Sequence, residues 1–387
     1  MIPQQSILDT DLYKLTMQQA ALSLYPDAVA EYRFINRRPT DVFEEGFAKF
    51  VQEEIREFAH LRLTDAEFAW LSQFRFFTPA YLQYLKNFRY DPYQVTVTDD
   101  SPDRLSISIK GKWHETILWE VPLMALVSEF HFRNKVPKVQ GNHQQEKAYE
   151  KGQRLADAGA LFADFGTRRR RGLWTQDVVV RELAKAKTFV GTSNVHLAHE
   201  CDLRPIGTMA HEWIQAHSVL CGLRHANRYA LDAWTTVYDT ELGIALTDTY
   251  GTKAFFNDFS PHHCRTWDGL RHDSGCPLAF TDAVVDHYNH NGIDPTTKTI
   301  VFSDGLNVDK AIEIKRYCDD KGIKCSFGIG THFTNDFPTP ALNIVIKLVG
   351  LNGVPVVKLS DVKTKQVGDP DALRVANWTF FGTPLDQ

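Results

Sequence analysis

From Leu161 onward, short apolar runs recur, and each stops at a cluster of small or polar residues. LFADFGTR, TFVGTSN, PIGTMAHE, GIALTDTYG, GLRHDSG, TIVFSDGLN, CSFGIGTH and LNIVIKLV follow in that order. Helical periodicity fills several of the gaps, as in WTQDVVVRELAKA (174–186) and NVDKAIEIKRYCDDKG (307–322). Strands that are apolar on both faces and alternate with helices form parallel sheets, because the crossover helices cover both faces. Eight such units predict an α/β fold, an irregular or closed (β/α) barrel. Barrels of this kind place their chemistry at the C-terminal ends of the strands. The residues that end the runs are therefore expected to converge: Arg168, Thr192, Ser193, Asn194, His211, Asp248, Arg271, Asp273, Ser274, Asp304, Gly328, Gly330, Thr331 and Lys347. Guanidinium, ammonium, glycine and hydroxyl groups dominate that set, which suits an anionic, phosphorylated ligand.

The first third has a different texture. Helical patterns span 47–61 and 66–74, and strand patterns span 93–100 and 104–111. VPLMALVSEFHF (121–132) is apolar nearly all round, which predicts a buried helix. A polar helical segment (138–159) joins the halves. A chain of 387 residues exceeds what one core usually organises. The expected division is an N-terminal α/β domain over 1–135 and the barrel over 136–387, with the C-terminal tail packing back on the N-terminal domain. The net charge of −5 argues against a general nucleic-acid coat, whose binding rests on phosphate neutralisation. No run is long and apolar enough to cross a membrane, and MIPQQSILDTDLYK lacks the basic head of a secretory signal. The six cysteines form no CxxC pair, so reduced thiols in the cytoplasm are expected.

Several motifs tempt a reading that their spacing refuses. In HEWIQAH, His211 and His217 are six apart, roughly 240° around a helix, so one zinc ion does not take both. HLAHE (196–200) has the wrong order for an inverted zincin. No GxxxxGK[ST] loop is present. GIGTHF (328–333) lacks the third glycine of a dinucleotide fingerprint and fits a phosphate loop at a strand end better. FGTRRRR (165–171) crowds cations before a helix that starts near Thr175, against the helix dipole, and an anion there would relieve the conflict. Arg168 is expected to point inward, with Arg170 and Arg171 in solvent. In RHDSG (271–275), Arg271 can clamp an anion and Asp273 can accept from sugar hydroxyls, the alternative being an ion pair that merely holds the loop.

Taken in order, ILDTDLYK (7–14), DFGTRRR (164–170), FVGTSN (189–194), PIGTMAHEW (205–213), ALTDTYGT (245–252), RHDSG (271–275), FSDGLN (302–307), FGIGT (327–331) and LNIVIKL (342–348) cover almost the whole chain. Together they resemble the nicotinate phosphoribosyltransferase family. The resemblance implies synthesis of nicotinate mononucleotide and pyrophosphate from nicotinate and 5-phosphoribosyl 1-pyrophosphate, the first step of NAD salvage from nicotinate. It implies coupling to ATP hydrolysis, Mg²⁺ carried on pyrophosphate with no dedicated protein metal site, and a homodimer with shared active sites. His211 matches the family's histidine that takes the γ-phosphoryl group, and Asp248 matches the carboxylate that orients it. Phe165 and Tyr13 would sandwich the pyridine ring, with Tyr13 supplied by the other subunit. Arg168 and Arg271 would face the ring carboxylate or the pyrophosphate, and Asp273 the ribose hydroxyls. Ser274, Gly275 and Asp304 would complete the substrate-binding turns. Gly305, Gly328, Gly330, Thr331 and Lys347 would surround the 5′-phosphate. Ser193 stands where the related nicotinamide enzyme carries an acid, and a carboxylate there would repel nicotinate. Cys276 departs from the family, which often has an acid after RHDSG. The rivals are a nicotinamide- or quinolinate-type phosphoribosyltransferase and, from another class, an RNA-binding protein using Arg168–Arg171.

Overall fold

The structure is a computed structural model that describes residues 5–38, 40–101, 104–133 and 141–382. The strands among the described residues, numbered along the chain, form two sheets. β1 (Val29–Asn36), β2 (Val95–Ser101) and β3 (Arg104–Lys112) join β10 (Ile344–Leu351) and β11 (Val354–Pro355) in an antiparallel sheet of order β11-β10-β1-β3-β2. β4 (Leu161–Asp164), β5 (Phe189–Thr192), β6 (Ile244–Leu246), β7 (Gly269–His272), β8 (Thr299–Phe302) and β9 (Lys324–Ile329) form a parallel sheet of order β5-β4-β9-β8-β7-β6.

Two of the eight runs are therefore not barrel strands. LNIVIKLV becomes β10, which pairs with β1 in the register Phe34↔Ile346 and Tyr32↔Leu348. A continuous apolar run marks a strand covered on both faces, but it does not say which sheet receives it. PIGTMAHE makes one isolated bridge, Pro205 to Thr192. Ile206 N–H donates to the Thr192 carbonyl at 2.8 Å, and Thr208 Oγ1 donates to the Ile244 carbonyl at 3.0 Å. The segment thus spans the gap between edge strands β5 and β6, which makes the barrel irregular.

The helices follow the sequence patterns at Phe47–Glu57, Asp65–Leu71, Glu120–Phe132, Leu173–Leu183 and Val308–Lys321. The last starts at Asn307, whose side chain accepts from Lys310 N–H, and ends at Gly322, where φ of +71° favours glycine. The expected division at 135/136 lies outside the described residues. The helix Leu12–Leu24 escaped the periodicity reading. Its first ten residues are all buried, although four of them are Lys14, Thr16, Gln18 and Gln19. Each of these polar groups has a hydrogen-bond or ion-pair partner. Lys14 meets Glu120 at 2.5 Å and also pairs with Glu212. Thr16 donates to the Thr208 carbonyl at 2.7 Å, and Gln18 donates to the His114 carbonyl at 2.8 Å. Buried polar side chains that find such partners hide the apolar stripe on which a pattern rests.

The arginine run is the other correction. Arg170 has no exposed side-chain surface. Its NH1 and NH2 each meet one oxygen of Asp9 at 2.7 Å, and its Nε meets Glu129 at 2.7 Å. Arg171 is also buried, with its guanidinium 3.8 Å from the Phe132 ring centroid and 4.2 Å from that of Phe337. Neither is solvated, because desolvation is met by carboxylates in one case and ring faces in the other. Asp9→Ala is expected to destabilise the fold by about 3–5 kcal/mol, since it removes the two-oxygen partner of a buried cation. Asp309→Ala, which breaks the exposed pair with Arg154, is expected to cost less than about 1 kcal/mol. Urea denaturation of the two variants checks the contrast.

Candidate active site

The C-terminal ends of the parallel strands open on one side, and each carries a polar turn. After β4, Asp164 is buried and accepts from Gly166 N–H, Gln176 Nε2 and Thr192 Oγ1, each at 2.8 Å. Burial pushes its pKa up to about 6. These bonds hold the turn that presents Phe165 and Arg168. Phe165 lies against Gly328 of β9, where an added Cβ would sit 2.2 Å from the ring. The missing side chain at 328 thus makes room for an aromatic ring.

Two chambers adjoin at this end. The first is lined by Asp11, Tyr13, Phe165, Arg168, Ser193, Ile206, Gly207, Thr208, Ile244, Arg271 and Val301. It is a mostly apolar slot with two guanidiniums and two aromatic rings. The second is lined by Tyr13, Arg168, Ala210, His211, Gln215, Arg271, Asp273 and Lys347, among others. Tyr13, Arg168 and Arg271 belong to both and form the shared wall. Tyr13 reaches the slot from its own chain, which corrects its assignment to a partner subunit: the start of the helix Leu12–Leu24 is drawn in by a bond from Leu12 N–H to the Ser193 carbonyl at 2.8 Å. Its hydroxyl is buried and has no hydrogen-bond partner among the described residues.

Arg168 has Asp11 and Glu120 each 3.7 Å away, beyond hydrogen-bond reach. Among the described residues its N–H groups make no hydrogen bond, so they remain free for a ligand. Ser193 donates to Asp11 Oδ1 at 2.7 Å. Asp11 is a site residue that sequence reasoning missed, although it sits in the same ILDTDLYK motif as Tyr13.

His211 begins the helix His211–Leu220 and is 5% exposed. Its Nε2 lies 2.8 Å from Asp248 Oδ1 and 3.4 Å from Asp273 Oδ2. The other oxygen of Asp248 accepts from Ser274 Oγ at 2.6 Å and meets the buried Lys358 ammonium at 2.8 Å. Ser274 is thereby spent on Asp248. Burial first, and the Lys358 charge next, hold the His211 pKa down to about 4, against the pull of Asp248. A neutral ring whose Nε2–H donates to Asp248 leaves a lone pair on Nδ1, which makes no hydrogen bond among the described residues. One ligating atom each from His211, Asp248 and Asp273 falls within 4.8 Å of the others. Each carboxylate of that cluster also has a basic side chain beside it: Lys358 on Asp248 at 2.8 Å and Arg271 at 3.4 Å from Asp273.

The remaining predicted residues line the same end. Arg271 Nε donates to Ser303 Oγ at 2.9 Å, and Ser303 donates to Asp273 Oδ1 at 2.8 Å. Asp304 pairs with Lys365 at 2.5 Å. Gly275 and Gly305 follow β7 and β8 with φ of +87° and +56°. Gly330 and Thr331 follow β9. Lys347 faces the second chamber from β10, across from the barrel; it has no ion pair among the described residues, and burial lowers its pKa to about 8. Lys358, Lys365, Arg37 and Arg169 were missed. Burial brings Arg169 down to about 10, helped by Arg168 and Arg37. A lone lysine inside VPVVKL (354–359) was the readable signal for Lys358. The decoy His217 is structural: Nδ1–H donates to the Trp213 carbonyl at 2.7 Å, and Nε2 meets Tyr25 Oη at 3.0 Å.

The depressed His211 pKa carries a sign. The folded state keeps the ring neutral while the unfolded chain protonates below its ordinary 6.5, so acidification through that window lowers stability. The expected result is that the His211 ¹⁵N resonances do not titrate between about pH 5.5 and 8, as NMR of selectively labelled protein would show.

Comparison with known proteins agrees with this architecture. Residues 8–128 match the nicotinate phosphoribosyltransferase (NAPRTase) N-terminal domain, and residues 160–383 match the nicotinate phosphoribosyltransferase (NAPRTase) family. The nicotinate phosphoribosyltransferase of Methanosarcina mazei is 48% identical over 99% of this chain and 100% of its own length. The crystal structure of the Porphyromonas gingivalis nicotinate phosphoribosyltransferase superposes with a TM-score of 0.94 at 41% identity, covering 97% of this chain and 99% of that one. That of the Vibrio cholerae nicotinate phosphoribosyltransferase gives 0.91 at 38%, covering 99% and 94%. No described helix is long and apolar enough to cross a membrane. The chain belongs to the nicotinate phosphoribosyltransferase family.

Proposed function

We propose that this chain makes nicotinate mononucleotide from nicotinate and 5-phosphoribosyl 1-pyrophosphate, with ATP hydrolysis coupled through a phosphohistidine at His211. The observation that carries the reading is the shared wall. The same Tyr13, Arg168 and Arg271 bound an aromatic slot on one side and the His211 chamber on the other.

In the glycosyl step the pyridine nitrogen attacks C1′ of the donor, the C1′–O bond breaks, and pyrophosphate leaves with the electron pair. The protein's part is position and charge. Phe165 and Tyr13 hold the ring, and the unspent donors of Arg168 meet its carboxylate. Arg271 and Lys347 face the leaving oxygens from opposite sides, with Asp273 toward the ribose hydroxyls and the turns at Gly305, Gly330 and Thr331 toward the 5′-phosphate. Mg²⁺ carried on the polyphosphates would add charge neutralisation there.

In the coupling step the Nδ1 lone pair of His211 attacks the γ-phosphorus, the β–γ bridging P–O bond breaks, and ADP leaves. The ring becomes positive, and Asp248 offsets that charge through the Nε2 proton. The phosphoryl group then adds negative charge among Lys347, Lys358 and Arg271, which would draw these cations and reorganise the donor site. Attack by water on phosphorus returns the pair to Nδ1 and releases phosphate.

Two guanidiniums against one lining carboxylate, Asp11, favour the acid over the amide, and Ser193 covers one oxygen of that carboxylate. The RNA reading loses its basis because Arg170 and Arg171 are buried. One chain lines both chambers, so a homodimer, if formed, is not needed to bring Tyr13 to the slot. A cytoplasmic setting fits six unpaired cysteines.

A product assay with nicotinate, donor and Mg²⁺, with and without ATP, tests the reading. ATP is expected to stimulate the unmutated enzyme, and His211→Asn is expected to lose both the stimulation and acid-labile phosphate. Equal turnover of nicotinamide would overturn the substrate choice. Arg168→Met is expected to raise the KM for nicotinate about 10- to 100-fold, the loss of a charge-assisted pair.

A further inference from the structure

We infer that Lys358 sets the reactivity of His211 from the far side of Asp248, keeping its free nitrogen unprotonated and its phosphoryl bond short-lived. The inference rests on the phosphohistidine reading and adds a residue to it.

The geometry is a charge count in a closed space. His211 Nε2 and Lys358 Nζ sit on opposite oxygens of Asp248, each at 2.8 Å. Lys358 is 5% exposed and its backbone is pinned. Its N–H donates to the Val367 carbonyl at 2.8 Å, and its carbonyl accepts from Val367 N–H at 3.0 Å. The next residue, Leu359, donates to the Thr249 carbonyl at 2.9 Å, one position after Asp248. The backbone that carries the ammonium is therefore fixed beside the turn that carries the carboxylate.

Charged groups face the ring from every neighbouring element. Asp248 follows β6, Asp273 follows β7, and Arg271 lies on β7 itself. Lys358 comes from the segment after β11, and Glu212 is next on the histidine's own helix. Lys347, Arg168 and Glu120 lie across the chamber. Glu212 is already satisfied by Lys14, by Tyr32 Oη at 3.0 Å and by Trp113 Nε1 at 3.0 Å. Glu120 is held by Lys14 at 2.5 Å. Two carboxylates then remain for the imidazole, and each has a permanent cation: Asp248 has Lys358, and Asp273 has Arg271 at 3.4 Å. An imidazolium would be a third cation on two carboxylates in a desolvated pocket.

Removing the lysine charge frees Asp248 for an imidazolium and makes the ring more basic. A more basic nitrogen is protonated at higher pH, so it is lost as an acceptor sooner on acidification. It is also a poorer leaving group, so water displaces it from phosphorus more slowly. Lys358 thus trades some nucleophilicity for availability and rapid resetting.

The test uses full-length Lys358→Gln, Lys358→Met and Lys358→Arg with γ-labelled ATP, reading acid-labile enzyme-bound phosphate against pH and its decay after a chase. For the Gln and Met variants, the acid limb of phosphorylation is expected to move up by about one pH unit or more. Their phosphoenzyme is expected to last about threefold longer or more, with Arg restoring both values. A merely structural role would lower the amount of phosphoenzyme without slowing its decay, and that result overturns the inference. So does normal phosphorylation with an unmoved acid limb and unchanged decay. Absence of labelled phosphate in the unmutated enzyme would instead overturn the phosphohistidine reading, and this inference with it.

Discussion

A guanidinium with no access to water holds the molecule's working parts in register. Arg170 binds both oxygens of Asp9 and one of Glu129, so it ties the N-terminal segment, the helix Glu120–Phe132 and the turn after β4 at one point. Asp9 also accepts from Asn194 Nδ2 at 2.7 Å, which adds the turn after β5. The pattern repeats two residues on: Asp11 takes Ser193 and approaches Arg168. One acid of the pair therefore anchors the frame, and the other borders the slot. A burial of this kind is sustained only when carboxylates match the charge, so loss of Arg170 would leave Asp9 and Glu129 without their shared cation.

The same economy governs the second chamber. Successive residues of one helix start serve different bodies: His211 binds the barrel carboxylates, while Glu212 binds Lys14, Tyr32 and Trp113 from the N-terminal part. The imidazole thus stands at the junction of the two sheets, with its free edge in the space between them. Positive groups contributed by β7, β10, the turn after β4 and the segment after β11 crowd that space. An anion bound there would relieve mutual repulsion as well as gain hydrogen bonds.

Much of this was legible in the linear text. Apolar runs ending in small and polar residues announced parallel strands, and the turns they named do converge. Tyr13, Phe165, Arg168, Ser193, His211, Arg271, Asp273 and Lys347 all line the two chambers. What stayed hidden has physical reasons. A strand apolar on both faces fits either sheet, so β10 was assigned to the barrel. A helix whose buried face carries lysine and glutamine shows no stripe, so Leu12–Leu24 went unseen. Pairing between Asp9 and Arg170 lies beyond any local pattern, and without it a run of arginines looks like solvated surface. Glycine is ambiguous for a similar reason: a bare Cα at 328 admits a ring, and no local signal separates that from admitting a phosphate.

The placement of β10 bears on how the chain is made. β1 lies between β3 and β10, and its residue Asn36 pairs with Ile344, roughly three hundred positions later. During synthesis β1 must wait with one hydrogen-bonding edge uncovered while the whole barrel emerges. Contacts so distant along the chain are slow to close. The emerging polypeptide therefore carries an open template for strand addition until β10 itself has been made.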